Sequence, residues 1–98
     1  MNYAFAYAMS KASTHALALN LAEKEDLPKT SCVVTILPTM IDTEMNRQAM
    51  PDADTSEWLP CDKIADLCRG WAKGENRPEN GSFAKLSYKN GMVVPEFL

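Results

Sequence analysis

A six-residue run, Cys32-Val33-Val34-Thr35-Ile36-Leu37, closed by Pro38, limits the possible folds of this chain more than any other feature. Its two valines, threonine and isoleucine favour extended backbone, and no polar residue alternates with the apolar ones. A strand of that pattern is buried on both faces, the situation of a central strand in a parallel sheet. It needs neighbouring strands and covering helices. The remaining residues must supply them.

Ahead of the strand, a helix is predicted from about Tyr7 to Glu25, because the segment is rich in Ala and Leu and has no internal Gly or Pro. Ala8, Met9, Ala12, Ala16, Leu17, Ala18, Leu19, Leu21 and Ala22 cover more than one stripe, so this helix is expected to be covered on two sides, for instance by a sheet and by a second subunit. Leu27-Pro28 ends it. After the strand, Thr39 to Leu59 is a long connection carrying Met40, Met45, Met50 and Trp58, and reads as a flap packing over something. A second helix fits Pro60 to Lys73: proline suits the first turn, Ile64, Leu67, Cys68 and Trp71 keep helical spacing, and Gly74 is a natural stop. A second strand fits Ser82 to Tyr88. Lys89-Asn90-Gly91 then signals a turn, followed by an apolar tail, Met92 to Leu98, that contains Pro95.

The order helix, strand, flap, helix, strand contains a right-handed strand–helix–strand unit. The expected class is α/β: the C-terminal part of a doubly wound, Rossmann-like parallel-sheet domain. Two strands make no stable open sheet, and none of Gly70, Gly74, Gly81 and Gly91 forms a G-x-G-x-x-G turn. Residues 1–98 are therefore expected to be part of one domain whose dinucleotide-binding half lies outside them.

The net charge of −3, with no basic run longer than a pair, argues against a nucleic-acid surface. No segment has the apolar length needed to cross a membrane. Met1 to Met9 lacks the positive flank and sustained apolar core of a secretory signal. Cys32, Cys61 and Cys68 are odd in number and lack CxxC spacing, which argues against zinc and disulfide frameworks and for a reducing, cytoplasmic setting. Asn80-Gly81-Ser82 fits a glycosylation sequon but reads as a turn. His15, the lone histidine, reads as packed or hydrogen-bonded.

The chemistry concentrates in Tyr7 and Lys11. Four residues apart on a helix, they share one face, one turn apart. A phenol has a pKa near ~10, and a neighbouring cation lowers it. At ~4 Å and an effective dielectric of ~20 the attraction is about 4 kcal/mol, or roughly 3 pKa units before desolvation. The expected result is a proton donor usable near neutrality.

Tyr7-x-x-x-Lys11 opening a long helix, a buried strand ending in Pro38, and Thr43 five residues later together resemble the short-chain dehydrogenases/reductases. Within them, the stretch Leu37 to Arg47 is similar to the quinoid dihydropteridine reductases. Met50-Pro51-Asp52-Ala53-Asp54, Trp58, Trp71, Asn76-Arg77-Pro78 and Gly81-Ser82 match that family in order and spacing, and His15 has its counterpart. The resemblance covers essentially all 98 residues and about the last two-fifths of the family's chain. It departs from the wider superfamily at Pro38-Thr39, where most members have Pro-Gly.

The resemblance implies NADH- or NADPH-dependent reduction of quinonoid dihydrobiopterin to tetrahydrobiopterin. It also implies a role for each matching residue. Tyr7 would supply or relay a proton to the pterin; Lys11 would lower the Tyr7 pKa and bind the nicotinamide ribose. Pro38 and Thr43 would lie beside the nicotinamide, and the flap would close over the pterin ring. It implies a homodimer through the first helix as well. The alternative is a non-catalytic remnant that retains only the helix-mediated interaction.

Overall fold

The computed structural model describes residues 3–98; Met1 and Asn2, part of the stretch read above as lacking a signal, lie outside them. In chain order the elements are α1 (Tyr3–Ala22), β1 (Val34–Pro38), β2 (Ile41–Asp42), α2 (Glu44–Ala49), β3 (Leu59–Pro60), α3 (Cys61–Ala72), β4 (Ser82–Lys89) and β5 (Met92–Phe97). One sheet has the order β1-β4-β5, and β2 and β3 form a second, parallel pair. Val33 C=O accepts from Gly81 N–H and Leu86 C=O accepts from Thr39 N–H, so partners advance together and β1 runs parallel to β4. β5 returns antiparallel, with Lys85 opposite Glu96 and Lys89 opposite Met92.

The chain divides into two compact units. One runs through Thr35 and takes in Glu79–Ser82; the other comprises Ile36–Pro78 and Phe83–Leu98. In the first, the Asn80 carboxamide is the organising group. Its Nδ2 donates to Ala22 C=O at 2.7 Å, and its Oδ1 accepts from Val33 N–H at 2.8 Å. The end of α1 and the entry to β1 are thus held by one side chain. Gly81 follows at φ 89°, and a Cβ there would stand 3.4 Å from Ala22 Cβ. The sequon is a turn, as expected.

The second unit holds the buried apolar side chains Trp58, Leu59, Trp71, Ala84 and Leu86. Ala84 and Leu86 are two apart on β4 and share a face, while Lys85 between them is exposed. α3 behaves as its spacing predicts: Trp71 is buried, Ile64, Leu67 and Cys68 are half-buried, and Asp62, Lys63, Asp66 and Arg69 are exposed. Trp71 meets Phe97 of β5 with ring centroids 6.3 Å apart. The helix ends as expected. Gly74, at φ 87°, donates to Trp71 C=O and Glu75 N–H donates to Gly70 C=O, a double closure of the last turn. Arg77 adds donors to the Trp71 and Ala72 carbonyls at 2.7 and 3.0 Å.

Several expectations need correction. The α/β class holds, but the three-stranded sheet is mixed: within it only β1 and β4 are parallel, and the β2–β3 pair is a separate sheet. The apolar tail after Gly91 is β5, because Asn90 and Gly91 take the positive φ values of a two-residue hairpin turn (53° and 76°). Pro95 is tolerated because β5 is an edge strand. β1 is an edge strand as well, and Val34–Leu37 are half-buried where burial on both faces was expected. The flap is not irregular: it contains β2, α2 and β3. α1 starts earlier than predicted and stops at Ala22. Its expected two-sided cover is not supplied by this chain, since Phe5, Tyr7, Met9 and Leu17 are all more than half exposed.

Leu86 is fully buried, so Leu86→Ala should lower unfolding stability by about 2–5 kcal/mol in denaturant titrations. Met45→Ala, at a side chain 78% exposed, should change it by less than about 0.5 kcal/mol. Equal effects would mean that the β4 face is not the core.

Candidate functional site

Tyr7 and Lys11 lie on α1 in the first unit, Pro38 and Thr43 in the second. On α1 the helical spacing does bring Tyr7 and Lys11 together. Lys11 Nζ sits over the face of the Tyr7 ring, 5.4 Å from its centroid. This is cation–π geometry, with the ammonium against the ring quadrupole; no hydrogen bond joins it to the phenol. Tyr7 is 55% exposed and Lys11 is exposed as well, so the pair lies open to solvent. Ser10, one turn on, gives its hydroxyl proton to Tyr7 C=O at 2.8 Å. His15 is half-buried further along the helix.

Pro38 ends β1 and is exposed. Thr43 has a defined structural role as the N-cap of α2: its backbone is extended (φ −125°, ψ 157°) and its Oγ1 accepts from Asn46 N–H at 3.1 Å. A threonine there satisfies a helix donor that would otherwise lack a partner. Its hydroxyl proton remains available for a ligand acceptor.

Three residues that sequence reasoning left without a role hold this turn. Arg47 Nε and Nη2 donate to the two carboxylate oxygens of Asp42 at 2.5 and 2.9 Å, a two-pronged pairing. Asn46 Nδ2 donates to Ile41 C=O at 2.9 Å. β2, Thr43 and α2 are thereby closed into one loop of short contacts. The Arg47 hydrogen bond holds the Asp42 carboxyl below the usual range; desolvation opposes it, and the Arg47 charge adds a smaller lowering. The available signal was an Asp directly before an N-cap Thr, with an Arg on the first turn that follows.

Beside the Pro38–Thr39 turn is an open cavity of ≈ 330 Å³. Its lining includes Thr39 and Met40, the β4 side chains Lys85 and Lys89, Glu96 of β5, and Glu57 from the flap. Trp58, the flap's largest apolar side chain, is in the core, whereas Met45 is exposed. The flap is therefore anchored at its C-terminal end. Among the described residues no group of His, Cys, Asp and Glu could hold a metal ion, and no helix is long and apolar enough to cross a membrane.

No family model matches the chain. Comparison with individual proteins gives a different result: 91 residues, 91% of this chain, align at 38% identity with a dihydropteridine reductase of Dictyostelium discoideum. The chain is similar to a dihydropteridine reductase along nearly its whole length. It spans 39% of the length of that relative, consistent with a C-terminal portion.

The Asp42–Arg47 pair has a pH signature. Because the folded-state pKa of Asp42 is depressed, the pair's contribution is complete above the ordinary carboxylate range and is lost as pH falls through the depressed value. A carboxyl titration followed by NMR should place the Asp42 midpoint below that of an ordinary aspartate. In Arg47→Gln the midpoint should return upward. An unchanged midpoint would show that Arg47 is not its cause.

Proposed function

We propose that this chain carries the proton-transfer part of a dihydropteridine reductase site, belonging to the short-chain dehydrogenase/reductase superfamily. The reaction would be NAD(P)H-dependent reduction of quinonoid dihydrobiopterin to tetrahydrobiopterin. The observation that carries this reading is the paired placement of Tyr7 and Lys11 on one exposed face within a chain aligned over 91% of its length to such a reductase.

In this mechanism the Tyr7 hydroxyl donates its proton to the reduced pterin, and the Lys11 ammonium stabilises the phenolate left behind. Lys11 also donates to the nicotinamide ribose. Pro38 offers the ring a flat apolar contact, and Thr43 gives its free hydroxyl proton to the carboxamide oxygen. The fit of these groups is chemical: Thr43 Oγ1 is engaged only as an acceptor, by Asn46 N–H, so its donor is unspent. When bound, NADH or NADPH supplies the hydride. The adenosine and diphosphate need a glycine-rich turn, which we assign to residues outside these 98. Three free thiols accord with a cytoplasmic setting.

A second reading is supported by α1. A helix exposing Phe5, Met9, Leu17 and Leu19 is suited to pairing with another copy of itself, and the chain could act as a non-catalytic interaction remnant by that route. In the enzyme reading the same surface makes the homodimer.

Two measurements test these readings. The purified chain alone should neither bind NADH saturably nor oxidise it with a quinonoid pterin. Adding the relative's dinucleotide-binding part in trans should restore turnover, and Tyr7→Phe should lower the restored rate by about 10²–10⁴-fold. Turnover indifferent to Tyr7→Phe would remove the proton-transfer role. Sedimentation should show self-association that Leu17→Glu with Leu19→Glu abolishes; a monomer at all concentrations would remove the helix-pairing surface.

A further inference from the structure

The chain contains two Asn-Gly pairs, Asn80-Gly81 and Asn90-Gly91, alike in sequence and, although both asparagines are exposed, opposite in hydrogen bonding. We propose that Asn90 is a site of spontaneous deamidation, and that the fold holds Asn80 inert. The reaction needs only water. The backbone nitrogen of the following residue loses its proton to solvent base and attacks the asparagine Cγ. A new N–C bond forms, the Cγ–Nδ2 bond breaks, and ammonia leaves with a solvent proton. Water then opens the cyclic imide at either carbonyl, giving aspartate or β-linked isoaspartate. Glycine as the second residue favours the attack because no Cβ hinders the nitrogen.

At position 90 nothing obstructs these steps. Asn90 and Gly91 form the exposed tip of the β4–β5 hairpin, at φ 53° and 76°. Neither the Asn90 carboxamide nor Gly91 N–H has a hydrogen-bond partner among the described residues. The turn must open locally to bring nitrogen to Cγ, and loop motions on the nanosecond to microsecond scale are fast beside bond-making chemistry. At position 80 every participating group is occupied. Oδ1 accepts from Val33 N–H at 2.8 Å, Nδ2 donates to Ala22 C=O at 2.7 Å, and Gly81 N–H, the would-be nucleophile, donates to Val33 C=O at 2.8 Å. Attack there requires the Gly81 N–H bond to break and the carboxamide to leave a position that two further hydrogen bonds hold.

The product has consequences at the hairpin. It adds a negative charge next to Lys89, which lines the cavity beside Thr39. The isoaspartate form also lengthens the backbone of a two-residue turn by one carbon, which disturbs the Lys89–Met92 closure.

The test is incubation of the intact chain at mildly alkaline and mildly acidic pH, followed by digestion and mass spectrometry with isoaspartate detection. The Asn90 peptide should gain the mass of an amide-to-acid exchange faster at alkaline pH. The Asn80 peptide should lag by about tenfold or more, the factor that an opening cost of about 1.4 kcal/mol sets. In urea the two rates should converge. Amide hydrogen exchange on the same sample should find Gly81 protected and Gly91 unprotected. Equal rates with Gly81 protected, an Asn90 that keeps its amide in the native chain but loses it in urea, or an unprotected Gly81 would each overturn the proposal.

Discussion

The two hydrogen bonds of the Asn80 carboxamide are what the first unit depends on. α1 ends at Ala22 with carbonyls that have no further helical donors, and β1 begins with N–H groups that have no strand on one side. One carboxamide has both an acceptor and a donor, and can answer one of each. Aspartate could take the Val33 N–H but would repel the Ala22 carbonyl. Serine would not span the gap with both functions. Gly81 then lets the chain pass within van der Waals distance of Ala22. That double role explains why a sequon-like triplet sits here with its side chain engaged by the backbone on both sides.

Elements whose geometry follows from local rules were legible. α3 declared itself by the spacing of Ile64, Leu67, Cys68 and Trp71, by Pro60 ahead of it and by Gly74 after it, and each of these acts as its chemistry requires. β4 was legible from its alternation. β5 was not, because Pro95 weighs against a strand and only tertiary context makes it an edge, where a missing donor costs nothing. The elements inside the flap were hidden for another reason. β2 and β3 have two residues each, too few to show any period, and they exist because Leu59 N–H and Met40 C=O find each other across the chain at 2.8 Å.

The geometry of the candidate site was only partly legible. Spacing put Tyr7 and Lys11 on one face. It could not say that the ammonium would settle over the ring and not beside the oxygen, since that depends on the rotamers of a four-carbon stem. Thr43 was expected to meet a ligand, and the structure gives it a structural task as the N-cap of α2. The two are compatible: a hydroxyl can accept from a helix N–H and still donate. The Asp42–Arg47 fork went unassigned because its meaning depends on α2, a six-residue helix that Thr43 itself begins.

Lys11 over the Tyr7 ring bears directly on the proposed proton transfer. An exposed cation–π contact is worth about 0.5–1 kcal/mol. A hydrogen bond from an ammonium to a charged acceptor contributes about 1.5–3 kcal/mol. The second exceeds the first, so a phenolate or a bound sugar hydroxyl with partial charge draws the ammonium off the ring at small cost. The ring-face position is then the resting place of a cation that waits within one side chain's reach of the phenolic oxygen. A lysine locked in a buried ion pair could not make that move. On the proposed reading, the lack of an ion pair at Lys11 among the described residues leaves the ammonium able to make that move.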